Sequence, residues 1–395
     1  MREGWRSVRM SDIAVESKSR VRLEEGAEYP TVGVMMYGQG LLDREPFIGG
    51  QTTYTKLTPL ETGQLVLRSI TAFEAPIAVV EPRHDGFHVS GVFPVFDLST
   101  SDILPRYMSL VCTNPTFWQA MRERTTGSVL RRMTLSAKGL LDIPLALPPL
   151  AEQRRIVDVI ESVDTYISAL EKRAETARTA RSALLHELLS NPGPDWVETT
   201  FGKICSIDAQ LVDPKKPEYR DLPHLAIEKI ESRTGRIFPL ASASDDGVIS
   251  SKFLFNKNEV VYSKIRPELR KACRPGFAGL ASADAYPLRP VNGCTAEFLL
   301  ALILSEEFSQ MAVERSARTK MPKLNRVDLF SIPVQLPPLS DQLRIAELLV
   351  DFENLETGVS AILNRSRRLR NALLSDLLSG AHEVPASYDE LLGAA

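Results

Sequence analysis

Residues 143–191 read IPLALPPLAEQRRIVDVIESVDTYISALEKRAETARTARSALLHELLSN, and residues 332–380 read IPVQLPPLSDQLRIAELLVDFENLETGVSAILNRSRRLRNALLSDLLSG. Aligned without a gap, the two stretches are identical at 17 of 49 positions. An internal repeat sets the architecture, so it is read before anything else. Each copy follows a longer and less similar block, residues 1–142 and 192–331. The order is block, spacer, block, spacer.

Both spacers read as long helices. In the first, Pro148-Pro149 fixes an extended approach, and Leu150-Ala151-Glu152-Gln153 opens a run free of Gly and Pro until Pro192. Glu152 stands in the first turn, where a negative charge suits the helix dipole. Ile156, Ile160, Val163, Ile167, Leu170, Ala174, Ala177, Leu184 and Leu188 fall on alternating steps of four and three, with Arg181 in the one polar slot. That is the a/d seam of a coiled coil. From Ala151 to Ser190 such a helix is about 60 Å long at 1.5 Å per residue. In the second copy Pro337-Pro338 leads in, and Ser340-Asp341 before Gln342 offers an N-cap. Ile345, Leu349, Phe352, Val359, Leu363, Leu373 and Leu377 keep the register, with Glu356, Ser366 and Arg370 as exceptions. Arg370 fills the slot of Arg181. A seam arginine is costly unless paired, and polar seam residues set register and orientation.

Neither apolar stripe can stay exposed, so the helices are expected to pack on each other. With each block at the start of its own helix and the halves related by a pseudo-twofold axis, the pairing is antiparallel and the blocks lie at opposite ends of a rod. The competing arrangement, bundle helices of one compact core, would merge the separate cores that 395 residues imply. The predicted fold is α+β: two small α/β domains joined by two long antiparallel coiled-coil helices in a tandem repeat. Residues 1–146 form the first domain, 147–191 the first spacer, 192–335 the second domain and 336–380 the second spacer. Residues 381–395, with Glu383, Pro385, Asp389 and Glu390, read as a loosely held acidic tail.

The blocks share only anchors. Trp5…Ile13 matches Trp196…Ile204, and Leu65–Ile70 matches Val260–Ile265 as an apolar strand entering a polar turn. Tyr107…Gln119 matches Phe298…Gln310 as an amphipathic helical stretch, and Thr126…Ser136 matches Arg315…Asn325 just ahead of the spacer. Gly, Pro and alternating strand-like runs lie between, so one framework carries two surfaces.

Charge gathers in the loops. Arg68 closes the first block's strand, and Arg122, Arg124, Arg131, Arg132 and Lys138 stand against Glu123. In the second block residues 252–274 hold Lys252, Lys257, Lys264, Arg266, Arg270, Lys271 and Arg274 against two acids. Residues 315–326 add Arg315, Arg318, Lys320, Lys323 and Arg326 with no acid. A solvated face is the ordinary reading of a charge run. Recurrence in both halves favours phosphate contact instead, with any Arg or Gln at a base edge adding sequence information.

The bulk composition excludes several classes. No stretch is apolar enough to span a membrane and Met1-Arg2-Glu3-Gly4-Trp5 is no signal sequence, so a cytoplasmic protein is expected. Cys112, Cys205, Cys273 and Cys294 have neither disulfide-framework nor zinc spacing. His84 and His88 sit in a loop-to-strand stretch rather than on one helix face, so no metal site is expected. A net charge of −3 does not advertise nucleic-acid binding, which must rest on local clusters. There is no phosphate-cradling G-x-x-x-x-G-K loop. Asn114-Pro115-Thr116-Phe117 only approaches the turn of an adenine methyltransferase and reads as the start of the Phe117 helix. No catalytic residue is expected.

At Leu147-Pro148-Pro149-Leu150…Glu152-Gln153 and its second copy, the chain resembles a specificity subunit of a type I restriction–modification enzyme. Lys320-Met321-Pro322-Lys323-Leu324-Asn325 also resembles the family pattern before the second helix. The resemblance implies two target-recognition domains, each reading one half of a split double-stranded DNA site, and a helical ruler that sets the unread gap. It implies docking of two methyltransferase subunits, which use S-adenosylmethionine, around the paired helices at Pro148, Pro149, Glu152, Gln153 and Arg181 and at Pro337, Pro338, Asp341, Gln342 and Arg370. In members that cut DNA, two restriction-translocation subunits, using ATP and Mg, join the complex. The chain itself is then a scaffold without cofactors. Asp341 in place of Glu and Leu343 at the place of Arg154 depart from the pattern and point to unequal docking sites. An assembly adaptor that organises partners without reading DNA is the alternative, and it has no use for two divergent basic blocks.

Overall fold

The computed structural model describes residues 2, 4–129, 132–316 and 322–393. The chain divides into two compact units, Met1–Ala169 with Leu363–Ala395, and Leu170–Ile362. The two spacers are unbroken helices, Leu150–Ser190 and Leu339–Ser379. Each therefore starts in one unit and ends in the other.

In the first unit the strand Arg6–Arg9 pairs antiparallel with Pro144–Leu147, Arg6 opposite Leu147, tying the start of the chain to the approach of the first helix. An antiparallel sheet follows in the order Ala14–Glu16, Val95–Leu98, Leu65–Leu67, Ile77–Val79. Alternation splits its faces. Leu65 and Leu67 join Tyr107 and Met108 of the helix Pro105–Cys112 and Phe117 of the helix Pro115–Arg122. Val66 instead faces Val32, Val34, Leu41 and Val89 of a five-stranded sheet that holds the hairpin Glu28–Val34 and Leu41–Ile48.

The second unit repeats this plan. Val197–Thr200 pairs with Pro333–Leu336, and a sheet runs in the order Cys205–Ser206, Ala285–Pro290, Val260–Ser263, Ala272–Cys273. The helices Ala296–Leu304 and Glu306–Arg315 cover it, each started by a hydroxyl cap from Thr295 or Ser305. Its outer sheet has four strands, with His224–Leu225 parallel to Gly279–Ala281. The strand order of the inner sheet is the same in both units, as a shared framework requires.

The helices do pair, and antiparallel. In the first unit Ile156 and Ile160, early in the first helix, share a core with Leu374, Leu377 and Leu378, late in the second. In the other unit Leu185 and Leu188, late in the first, pack with Ile345 and Leu349, early in the second. The buried side chain near that end is Leu185 rather than Leu184, because the helix there also packs on the block beside it.

Two local expectations are corrected. Ser340 lies inside the second helix, which starts at Leu339, and the carboxylate of Asp341 is taken by Trp196 Nε1 at 2.9 Å. The tail is docked, not loose. Val384 is buried in the first unit's core, Glu383 pairs with Arg2 at 2.6 Å, and Asp389 pairs with Arg155 at 3.0 Å. Its acids look solvated in one dimension because the bases they meet are far away in sequence. Among the described residues, no helix is long and apolar enough to cross a membrane.

Candidate nucleic-acid interface

In each unit a strand of the inner sheet leads into a loop wound about one 3-10 turn, Ala72–Glu74 or Pro267–Leu269. Left-handed residues bracket both turns: Thr71 at φ 55° and Ala75 at φ 46°, Arg266 at φ 50° and Arg270 at φ 48°. For residues other than glycine this backbone costs about 1–2 kcal/mol each and persists only where the surroundings hold it. Those surroundings are the segment ahead of the long helix, which bridges the loop at Ile70 with Thr134 and at Ile265 with Lys323. Loop and segment make one edge in each block. Nothing in the sequence spacing shows this pairing, because the partners are about 60 residues apart.

In the second block that edge carries charge. Lys264 and Lys323 both face Asp284 Oδ1, at 3.8 and 3.3 Å. Burial, and then the charge of Lys323, hold the Lys264 ammonium below its ordinary pKa, and its Nζ also lies 5.3 Å over the Tyr286 ring. Arg266 and Arg326 are exposed and have no ion-pair partner among the described residues. Several other candidates are paired within the protein. Arg270 is buried and pairs with Glu306, Lys271 Nζ donates to the Ile227 carbonyl at 3.0 Å, and Arg274 pairs with Glu297 at 3.1 Å. In the first block Arg68 pairs with Glu74 at 3.2 Å, Arg122 Nε donates to the Phe73 carbonyl at 2.8 Å, and Arg124 Nη1 donates to that of Ala120 at 3.0 Å. Arg132 and Lys138 are exposed. Arg131, Arg318 and Lys320 lie outside the described residues. Among the described residues, the basic side chains along this edge differ between the two blocks.

The helix-start motif is a fastener inside each unit. Gln153 is fully buried: its Oε1 accepts from Leu104 N at 2.8 Å, and its Nε2 donates to the carbonyls of Asp102 and Pro148 at 2.8 and 2.9 Å. Gln342 repeats all three bonds, with Thr295 N and the carbonyls of Gly293 and Pro337. The carbonyls of Pro149 and Pro338 accept the first helical N–H bonds, from Gln153 and Gln342. Glu152 accepts from Trp5 Nε1 at 3.1 Å and from Arg2 at 2.7 Å, as Asp341 does from Trp196. The shorter Asp thus keeps the tryptophan contact that Glu makes in the first copy. The only sign in the sequence was that tryptophan and acid recur together.

The seam arginines are paired differently. Arg370 makes a bidentate contact with Asp164, whereas Arg181 donates to the carbonyls of Arg233 and Thr234 at 3.5 and 3.1 Å. Burial lowers the Arg181 pKa, opposed by the charges of Glu356 and Glu353. Glu356, itself buried, accepts from Arg236 at 2.5 Å.

Asn114 caps the Pro115–Arg122 helix by accepting from Thr116 N at 2.8 Å. His84 is buried against Phe87 and bonds Asp43 at 2.9 Å, while His88 meets the Pro30 carbonyl at 3.3 Å. No metal-ligand cluster occurs among the described residues. Burial pushes the thiols of Cys273 and Cys294 up to about 12, far from the reactive thiolate range.

Residues 194–365 match the family model of the type I restriction modification DNA specificity domain. The type I restriction enzyme EcoDI specificity subunit of Escherichia coli is 34% identical over 198 residues, 49% of this chain and 44% of that one. The MjaVIII specificity subunit of Methanocaldococcus jannaschii is 19% identical over 280 residues, 62% of this chain and 63% of that one. The chain thus spans less than two thirds of the length of either relative. A solved chain from work on assembly and conformational transition of the type I R-M system has a TM-score of 0.63 at 18% identity, covering 95% of this chain and 98% of that one. The Type-I restriction-modification system S subunit from M. genitalium has a TM-score of 0.53 at 13% identity, covering 95% and 96%. At these identities the likeness carries the fold. The family match thus covers the second block and much of the second long helix, and the first block repeats the same inner-sheet framework.

Proposed function

We propose that the chain is the DNA-specificity subunit of a type I restriction–modification complex and carries no chemistry of its own. Each block reads one half of a split duplex site, and the paired helices set the unread gap between halves. Two methyltransferase subunits bring S-adenosylmethionine. Where the complex cuts DNA, two restriction subunits bring ATP and Mg.

One observation carries the reading: a single backbone frame, down to its two left-handed residues, presents edges of unlike chemistry in the two units. A scaffold that only joined subunits would gain nothing from holding two such edges in place.

Replacing residues 1–142 by the matching block of another family member, then sequencing methylated adenines in a host expressing the methyltransferase, tests it. A change confined to one half of the methylated motif is expected. A motif left intact, with only complex formation altered, would contradict it.

A further inference from the structure

The edges can be compared position by position, because their backbone bonds repeat. Ser69 N donates to the Val92 carbonyl and Lys264 N to that of Asp284; Leu135 N donates to the Ser69 carbonyl and Leu324 N to that of Lys264. Ser136 and Asn325 both cap the short helix that follows. In this register Lys264, Arg266, Lys323 and Arg326 stand where the first block has Ser69, Thr71, Thr134 and Ala137, and Asp284 stands where it has Val92. Two exposed apolar side chains, Ile70 and Val92, lie on the first edge instead.

We propose that the edge formed by Lys264, Arg266, Lys323 and Arg326 is the phosphate clamp of the second block, and that the first block has no counterpart of it at these positions. This deepens the DNA-reading assignment and rests on it.

The chemistry selects a polyanion. Two ammonium groups share one carboxylate oxygen, and two guanidinium groups beside them have no ion-pair partner among the described residues. Of the other acids on these elements, Asp328 is held by Asn325 Nδ2 at 2.5 Å, and Glu268 lies within the turn. The Lys264 side chain is only 14% exposed and also donates to the Ala283 carbonyl, so it adds its field from beneath the exposed charges of Lys323, Arg266 and Arg326. The bridge at Ile265 and the left-handed turn fix where the cations sit before DNA arrives, so little ordering is needed on binding. At these four positions the first edge offers hydroxyl and apolar groups, whose contacts discriminate bases rather than neutralise phosphates.

The test measures the salt dependence of full-chain binding to a fluorescent duplex of mixed sequence. In the variant Lys264→Ser, Arg266→Thr, Lys323→Thr, Arg326→Ala, each new residue is the one the first block already carries in the same frame. Its log–log salt slope is expected to shrink by about 3–4, at about 0.9 per phosphate released. The opposite graft, Ser69→Lys, Thr71→Arg, Thr134→Lys, Ala137→Arg, is expected to steepen it, so a fold lost in one variant leaves the other to decide. Lys264→Arg with Lys323→Arg is expected to keep the slope. Duplex binding with an unchanged slope in both grafts would overturn the clamp and spare the DNA-reading assignment. So would loss of methyltransferase assembly alone. No duplex binding by the wild-type chain would instead defeat the assignment itself.

Discussion

Arg370 grips Asp164 through two parallel hydrogen bonds, Nε to Oδ1 at 2.7 Å and Nη2 to Oδ2 at 2.9 Å. This fork locks the second long helix to the first at one register within the first unit. Asp164 is partly exposed, so solvent screens the pair, and the geometry rather than the charge gives it value. Arg370→Ala is expected to lower the stability of that unit by about 1–2 kcal/mol. Arg370→Lys recovers little, because an ammonium cannot make the fork. Chemical denaturation of the three proteins checks this.

The equivalent slot in the other unit has a deeper requirement. Glu356 is buried and bonded to Arg236, with the Arg181 charge nearby. Glu356→Gln removes the nearer counter-ion of Arg236, leaving Glu231 at 3.9 Å, and is expected to destabilise the unit by about 2–3 kcal/mol, below the full cost of breaking a buried pair because Arg236 is partly exposed and keeps that second partner. A larger loss for Glu356→Gln than for Arg370→Ala in the same denaturation series is the expected order.

Gln153 and Gln342 each make three buried bonds to their own block. Alanine at either site strands one N–H and two carbonyls and is expected to cost about 2–4 kcal/mol. Hydrogen exchange should show protection lost in the unit that carries the change and kept in the other. Loss spread equally over both would contradict the fastening role.

How much of this was legible in the sequence depends on the range of each contact. The long helices, the seam and the costly arginines are periodic, local signals, and the structure keeps them at Ile156, Ile160, Ile345 and Leu377. The Gln153 clamp was visible only as a motif, since its partners are backbone atoms near residue 103 that a side-chain pattern does not encode. The basic residues can be counted in the sequence, but not which of them are paired internally. Whether Arg270 meets solvent or Glu306 is decided by a helix some 35 residues away.

Asp102 offers a pH readout. Hydrogen bonds from Arg6, then Ser99 and Ser101, hold its carboxyl down to about 2 against an ordinary 3.8. The folded value lies below the unfolded one, so the stability it contributes is complete above the ordinary value and drains as pH falls toward about 2. The stability difference between wild type and Asp102→Asn should be constant above about pH 5 and shrink below it. Urea midpoints across that range give the measurement, and a difference that grows on acidification would refute the sign.

The docked tail makes a prediction of its own. Removing the chain after Gly380 uncovers the core around Val384, takes Asp389 from Arg155 and leaves Arg2 with Glu152 alone. A loss of about 1–3 kcal/mol in the first unit is expected, with Val384→Asp giving a similar effect. Unchanged thermal unfolding would mean the tail contributes nothing.

The most direct measurement concerns the helices as a spacer. One heptad removed at matched positions from both Leu150–Ser190 and Leu339–Ser379 shortens each by about 10 Å. Methylated adenines mapped across a host genome carrying that variant should fall in the same two half-sites, with a gap about three base pairs shorter. Methylation that persists at the original gap would contradict the spacing role of the paired helices.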